Sequence, residues 1–175
     1  MRVPELTLLA QVFRRMDARI APAGARSGVV RCPRCLRRNR VPAAGTGLPV
    51  CGNCRHAVPW IAAAEDDDFA AVAEQATLPV VVGLWAPWCG LSWAARAVLE
   101  RAALARPGQV KLVEVDVVAA PLKARWLVVR TVPTLLVLRR GRPVARRHGT
   151  PTGAELRTWL DATVGPEPAA VTPGP

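Results

Sequence analysis

Four cysteines fix what the first third of this chain can become. Cys32-Pro33-Arg34-Cys35 and Cys51-Gly52-Asn53-Cys54 form two C-x2-C pairs with 15 residues between them. Two residues between cysteines let one tight knuckle aim both sulfurs at a single ion, and two knuckles complete a tetrahedral thiolate cage for zinc. The intervening stretch is long enough for a short hairpin. A segment this small cannot bury a core of its own, so the metal would act as its folding ligand. With all four positions filled by protein, the expected ion is one structural Zn2+ per chain, held by Cys32, Cys35, Cys51 and Cys54. Two other uses stay open from the spacing: a redox switch in which oxidation ejects the metal, and nucleic-acid contact through Arg31, Arg34, Arg37, Arg38 and Arg40. No aromatic residue between Cys32 and Cys54 could stack on a base, which places nucleic acid last.

The charge does not change that ranking. The net charge is +11, from 24 Arg and Lys against 13 acids, and residues 1–60 hold +9 of it. Only Lys111 and Lys123 are lysines. Such an arginine bias, with abundant Ala, Val, Gly and Pro, is the mark of a GC-rich coding sequence more than of a nucleic-acid footprint. An odd total of 5 cysteines speaks against a secreted disulfide scaffold. A composition that is 51% apolar excludes wholesale disorder. The longest strongly apolar run, Pro79–Trp88, is about half of what a spanning helix needs. Leu6–Phe13 is too short for a signal peptide, and Arg14–Arg15 follows it instead of preceding it. The expected location is the cytoplasm, where thiols stay reduced.

Composition divides the chain into four segments. In residues 1–28, Leu9, Val12, Phe13, Met16 and Ile20 recur at helical steps, with Arg14, Arg15 and Arg19 elsewhere on the wheel. This extension reads as a basic amphipathic helix or as residues outside the mature protein. Residues 29–59 are the zinc-ribbon segment. Residues 60–164 alternate strand and helix patterns. Pro79–Ala86 is a strand buried on both faces, Leu91–Ala105 a helix, Val110–Val118 a strand, and Pro121–Leu127 a helical stretch. Thr134–Arg139 and Pro143–Arg147 flank a hairpin turn at Arg140-Gly141-Arg142. Thr152 and Glu155 form a capping box for a last helix, Gly153–Val164. This order predicts an α/β domain with a mixed central sheet flanked by helices. Residues 165–175, with four prolines, read as a disordered tail.

The fifth cysteine, Cys89, lies where the buried strand ends and the helix begins, in Trp85-Ala86-Pro87-Trp88-Cys89-Gly90-Leu91-Ser92. Unpaired N–H groups and the helix dipole favour a thiolate there, so its pKa should fall and its nucleophilicity rise. Gly90 and the flanking tryptophans favour a functional thiol over an inert core residue.

Those residues, with Val132-Pro133-Thr134 opening a strand and Gly149 after a hairpin, resemble thioredoxin over residues 60–164. With the ribbon and Asn39-Arg40-Val41-Pro42, the chain from about residue 29 is similar to the zinc-bearing second type of bacterial thioredoxin. The resemblance implies a thioredoxin fold preceded by a small zinc ribbon, and thiol–disulfide oxidoreductase activity. It also implies that Cys89 attacks and that Trp88 shields the thiol and contacts substrate, beside Gly90. Pro133 would be a cis-proline facing the thiol. Val132 would pair its backbone with an extended substrate, and Gly149 would keep the docking groove open. Trp85 is expected in the core.

The departures from that family form a pattern. Ser92 stands where the resolving cysteine belongs, and Leu91 replaces a proline. Gly83 and Leu112 stand where the family has a buried aspartate and a nearby lysine, and Ala97 replaces a kinking proline. A hydroxyl cannot close a disulfide, so Cys89 can form a mixed disulfide but cannot complete a reduction alone. Ser92 can still hydrogen-bond the thiolate. The expected function is therefore monothiol exchange, isomerisation or de-thiolation on protein disulfides or mixed disulfides. A low-molecular-weight thiol, another reductant or a cysteine of the substrate would resolve the intermediate. A redox-inactive client-binding protein or holdase is the alternative, and a nucleic-acid module ranks third.

Overall fold

Val and Leu dominate the runs that become the central strands, and β-branched side chains suit a pleated surface covered on both faces. In the computed structural model, which describes residues 28–165, those runs form a five-stranded sheet. The strands are β3 (Trp60–Ala63), β4 (Val80–Trp85), β5 (Lys111–Asp116), β6 (Thr134–Arg139) and β7 (Arg142–His148), in the order β3-β5-β4-β6-β7. β3 and β4 run parallel to β5, whereas β6 is antiparallel to β4 and β7 to β6. The mixed sheet expected from the sequence is present. All six residues of β4 are buried, as its unbroken apolar run requires.

Alternate residues of each central strand feed two cores. Val80, Val82, Leu84, Val113 and Val115 pack with Phe69 and Val72 of the β3–β4 connection and with Leu127. Val81, Leu112, Leu135 and Val137 pack with Leu99 and Ala103 of α1 (Gly90–Leu104) and with Leu156 and Leu160 of α3 (Gly153–Val164). The short helix α2 (Pro121–Trp126) links β5 to β6, and a π-helical turn, Ala70–Glu74, precedes β4.

Local chemistry sets the ends of these elements. The Asp116 carboxylate accepts the Val118 N–H at 2.9 Å and stops β5 two residues before the expected boundary. Arg139 pairs with Arg142, so the hairpin loop is only Arg140-Gly141, both at positive φ (49° and 75°), and β7 is longer than its apolar pattern suggested. The Thr152–Glu155 capping box forms as expected at the start of α3. β3 is an element the sequence did not signal: WIAA is too short to carry a period.

Before this sheet, β1 (Gly28–Arg31) and β2 (Arg38–Val41) pair antiparallel. They flank the first knuckle, so the hairpin surrounds Cys32–Cys35 instead of filling the stretch between the two knuckles as expected. The knuckle's own backbone bonds close that turn, and the intervening chain is left to run from β2 towards the sheet. The expected helix within residues 1–28 and the tail beyond Gly165 lie outside the described residues. No helix among the described residues is long and apolar enough to cross a membrane.

Candidate functional site

The two knuckles are backbone copies of one another. In the first, Cys32 N–H donates to Arg37 O (2.9 Å) and Leu36 N–H to Cys32 O (3.0 Å). In the second, Cys51 N–H donates to His56 O (2.8 Å) and Arg55 N–H to Cys51 O (3.0 Å). Leu36 (φ 61°) and Arg55 (φ 58°) occupy the left-handed region at equivalent positions. Each costs roughly 1–2 kcal/mol there, a strain that needs a fixed framework to persist.

That framework gathers the sulfurs of Cys32, Cys35, Cys51 and Cys54 within 4.8 Å of one another. The Cys32–Cys54 and Cys35–Cys51 Sγ separations are both 3.6 Å. A tetrahedral site with Zn–S bonds of about 2.3 Å has sulfur–sulfur edges of about 3.8 Å. The donor set therefore fits a metal ion. Backbone N–H groups of Cys54 and Asn53 pull Cys51 down to about 6. Cys54 accepts the His56 N–H, yet burial and its neighbouring sulfurs push it up to about 11. Four thiols in one cage cannot all ionise without a cation between them.

Cys89 is the N-cap of α1, at the C-terminal end of the central strand β4. Its N–H donates to Ala86 O (3.1 Å), and its carbonyl accepts the Ser92 N–H (3.0 Å), which closes the first turn. The thiol lies below its ordinary value. The Ser92 hydroxyl is the main cause, then the Ser92 N–H and, more weakly, the Leu91 N–H, against burial. Ser92 is fully buried, and its Oγ also accepts the Ala86 N–H at 3.4 Å. Across from it, the Val132–Pro133 peptide is cis, and the Val132 carbonyl lies 3.7 Å from Cys89 Sγ.

Of the remaining residues expected at this site, Trp88 and Gly90 are the chain neighbours of Cys89, and Gly149 binds Pro133. Gly149 (φ 78°) donates its N–H to Pro133 O at 2.9 Å, and a Cβ there would meet open space. Its positive φ, not crowding, is what favours glycine. Thr150 Oγ1 donates to Leu91 O (2.9 Å) and ties the two sides of the groove together. Trp88 is 72% exposed and Leu91 63%, while Gly90 faces solvent with no neighbour near its Cα hydrogens. Trp85 is buried, as expected.

The departures also have a physical form. A Cβ on Gly83 would fall 2.8 Å from Leu99 Cδ1, so Leu99 fills the space beside that position. Leu112 is buried in the same core. Lys111 is no substitute, because successive strand residues face opposite sides. Its ammonium group instead donates to Ala43 O (2.6 Å) and to Val72 O, and sits 4.1 Å from the Trp60 ring centroid. Burial lowers it to about 8.

Sequence reasoning missed three features near these sites. One is that lysine strap between the segment after β2 and the sheet. The second is the ion pair of Arg96 in α1 with Glu114 in β5, made through two bonds of 2.9 and 2.6 Å. The third is the tryptophan pair beneath it: the Arg96 guanidinium lies 4.1 Å from the Trp85 centroid and 5.0 Å from that of Trp93. A lysine and a glutamate inside an apolar strand run, Lys111-Leu112-Val113-Glu114-Val115, were the signals available.

Comparison with known proteins agrees with this geometry. The Thioredoxin family model matches residues 60–162. Thioredoxin C-3 of Corynebacterium nephridii is 31% identical over 136 residues, covering 76% of this chain and 93% of that protein. That share exceeds the whole of residues 60–175, so the likeness takes in part of the cysteine-rich segment. Thioredoxin C-2 of the same organism is 33% identical over 99 residues (57% of this chain, 92% of that protein). The thioredoxin of Mycolicibacterium smegmatis is 36% identical over 103 residues (57% and 92%). A nucleophile-bearing strand-to-helix turn opposite a cis-proline, on a sheet of this order and with relatives of this similarity, places the chain in the thioredoxin family.

Proposed function

We propose that this thioredoxin-family oxidoreductase works with one thiol. Cys89 attacks a protein disulfide or accepts a mixed disulfide, and an external thiol or a cysteine of the substrate resolves it. The observation that carries this reading is the pairing of Cys89 with Ser92. The buried hydroxyl stabilises the thiolate and cannot form a disulfide. In this reading Cys89 and Ser92 are the catalytic residues. Val132, Pro133 and Gly149 form the groove for an extended client, with Trp88 and Gly90 at its rim.

In the same proposal residues 29–59 are a module that holds one structural zinc, residues 60–164 carry the chemistry, and the protein works in the cytoplasm. Support for zinc comes from the thiolate-only donor set and its tetrahedral spacing.

The test uses a mixed-disulfide client with excess small thiol, beside a Cys89→Ala control. Faster release by the wild type supports the proposal, and equal rates sink it. Insulin-type reduction driven by thioredoxin reductase should be weak, and robust turnover there would show that another cysteine resolves Cys89. A second reading, client capture without chemistry, draws on the apolar rim formed by Trp88 and Leu91. Tight client binding that survives Cys89→Ala would favour it.

A further inference from the structure

The connection that precedes the cis-proline, with β7, forms a second hollow. Val128, Arg130, Thr131, Arg146 and His148, all solvent-exposed, line this open hollow of about 600 Å³. Its lining connects to the thiol through the chain neighbours of the cis-proline. Thr131 precedes Val132, whose carbonyl faces Cys89 Sγ at 3.7 Å, and His148 precedes Gly149, whose N–H binds Pro133 O.

The hollow is cationic, and Arg146 and His148 are held in place by hydrogen bonds. The Arg146 guanidinium donates to the carbonyls of Leu127 and of Val128, the latter at 3.3 Å. Neutral carbonyls fix a guanidinium without cancelling its charge. Among the described residues no carboxylate pairs with Arg130 or Arg146. The Thr134 hydroxyl donates to Thr131 O at 2.6 Å, which leaves its oxygen to accept the His148 Nδ1–H at 3.0 Å. That bond orients the ring. Two positive charges without an acid partner among the described residues, one of them held by carbonyls, form a receptor for anions.

We infer that this hollow is the carboxylate-binding subsite for the resolving thiol, which is a low-molecular-weight thiol bearing carboxylates. The inference rests on the monothiol reading of Cys89. Its volume lies in the small-molecule range of about 300–1,000 Å³. The polypeptide client is left the Val132 backbone and the Trp88 rim.

The chemistry balances. The Cys89 thiolate attacks a client disulfide, so that one client sulfur leaves as thiolate and the other is bonded to Sγ. The small thiol, as RS⁻, attacks Sγ, which forms Cys89–S–S–R and releases the second client thiolate. A second RS⁻ attacks the sulfur of R, which frees the Cys89 thiolate and forms R–S–S–R. Two small thiols are oxidised, one client disulfide is reduced, and solvent supplies the client's two protons.

The test loads Cys89 of the metal-bound full chain with 2-thiopyridine and follows release of that neutral group by absorbance. The thiols are glutathione (two carboxylates), its diethyl ester and cysteamine. Each rate is divided by the same thiol's rate on a free 2-thiopyridyl disulfide. Glutathione should exceed its ester by about three- to tenfold, and the ratio should fall towards one in high salt. It should also collapse in Arg130→Glu and in Arg130→Ala, whose side chain makes no hydrogen bond that folding could need. Arg146→Lys keeps the charge and should retain part of the preference. Equal normalised rates for glutathione and ester, unchanged in Arg130→Glu, overturn the subsite while brisk release leaves the monothiol reading standing. Failure of every thiol to release the group overturns both. Slower capture of an acidic client peptide by Arg130→Glu, with an unchanged thiol ratio, assigns the hollow to the client and also overturns the inference.

Discussion

Position 83 offers a quantitative test of how this domain has settled around its missing charges. Gly83 lies in β4 with its missing Cβ aimed at Leu99 Cδ1, 2.8 Å away. Adding a methyl forces Leu99 from its place, and overpacking of this kind costs about 1–3 kcal/mol. Replacing glycine in a strand returns roughly 0.5–1 kcal/mol of backbone entropy. Gly83→Ala should therefore destabilise by no more than about 2.5 kcal/mol. Leu99→Ala alone empties a fully packed site and should cost about 2–5 kcal/mol. In the double variant the new methyl occupies part of the cavity, so the penalties should fall short of their sum by roughly 1–3 kcal/mol. Gly83→Asp should be worse than Gly83→Ala. Its carboxylate would enter an apolar space, and its partner in the strand pair is Glu114, already bonded to Arg96. Urea unfolding of the metal-loaded proteins, with equal m values, measures each term. Additivity within about 0.5 kcal/mol would refute the argument that Leu99 has taken the vacated space. A Gly83→Asp protein as stable as the wild type would refute the electrostatic half of it.

Other outcomes follow from the same contacts. Ser92→Ala should move the pH midpoint of Cys89 alkylation upwards, towards a free thiol, because the hydroxyl is the main stabiliser of the thiolate; an unchanged midpoint would contradict that role. Ser92→Cys should support only slow reductase-driven turnover, since Gly83 supplies no proton acceptor and the carboxylate opposite it, Glu114, is held by Arg96; family-like rates would show that the aspartate and lysine are dispensable here. Lys111 is lowered to about 8 when folded and is ordinary when unfolded, so the unfolded chain binds the extra proton between about pH 8 and 10.5. Wild-type stability should therefore rise with pH through that window relative to Lys111→Met, by no more than about 3 kcal/mol, because the Ala43 and Val72 carbonyls favour the ammonium form; a fall on denaturation curves would reverse the sign. Metal analysis should give one zinc per chain, and chelation should change the Trp60 environment through the shared Cys32, Cys51 and Val58 core while the main unfolding transition persists; loss of both together would show that the metal supports the whole chain.

Legibility in the sequence tracked how local each signal was. The central strand, α1 and the capping box of α3 were readable because neighbouring residues determine them: an apolar run, a helical spacing, and Thr152 with Glu155. The four-cysteine cluster was readable because two short spacings specify it. β3 was not, because WIAA becomes a strand only by pairing with Lys111–Glu114, some 50 residues later. The hairpin around Cys32–Cys35 was misplaced because the spacing between knuckles gives a length but not a partner. Arg96–Glu114 and Lys111–Ala43 join residues 18 and 68 positions apart, and no local pattern encodes such a pair.

Those distant pairs explain how the charge pattern of this domain holds together. The face of the sheet under α1 carries Gly83, Leu112 and Glu114, with Leu99 and Arg96 reaching down from the helix. Leu99 fills the space over Gly83. Glu114, the cross-strand neighbour of Gly83, carries the ion pair of that face, and both its members are only about one-sixth exposed (15% and 16%). Arg96 Nη1 has no hydrogen-bond partner there, and the ring faces of Trp85 and Trp93 stand in for one. Removing either charge would strand the other in a largely buried site, a loss of about 3–5 kcal/mol. The pair thus fastens α1 to the sheet two turns beyond Cys89. A helix held in this way keeps its N-terminal N–H groups aimed at the sulfur. That arrangement suits a thiol that must stay nucleophilic.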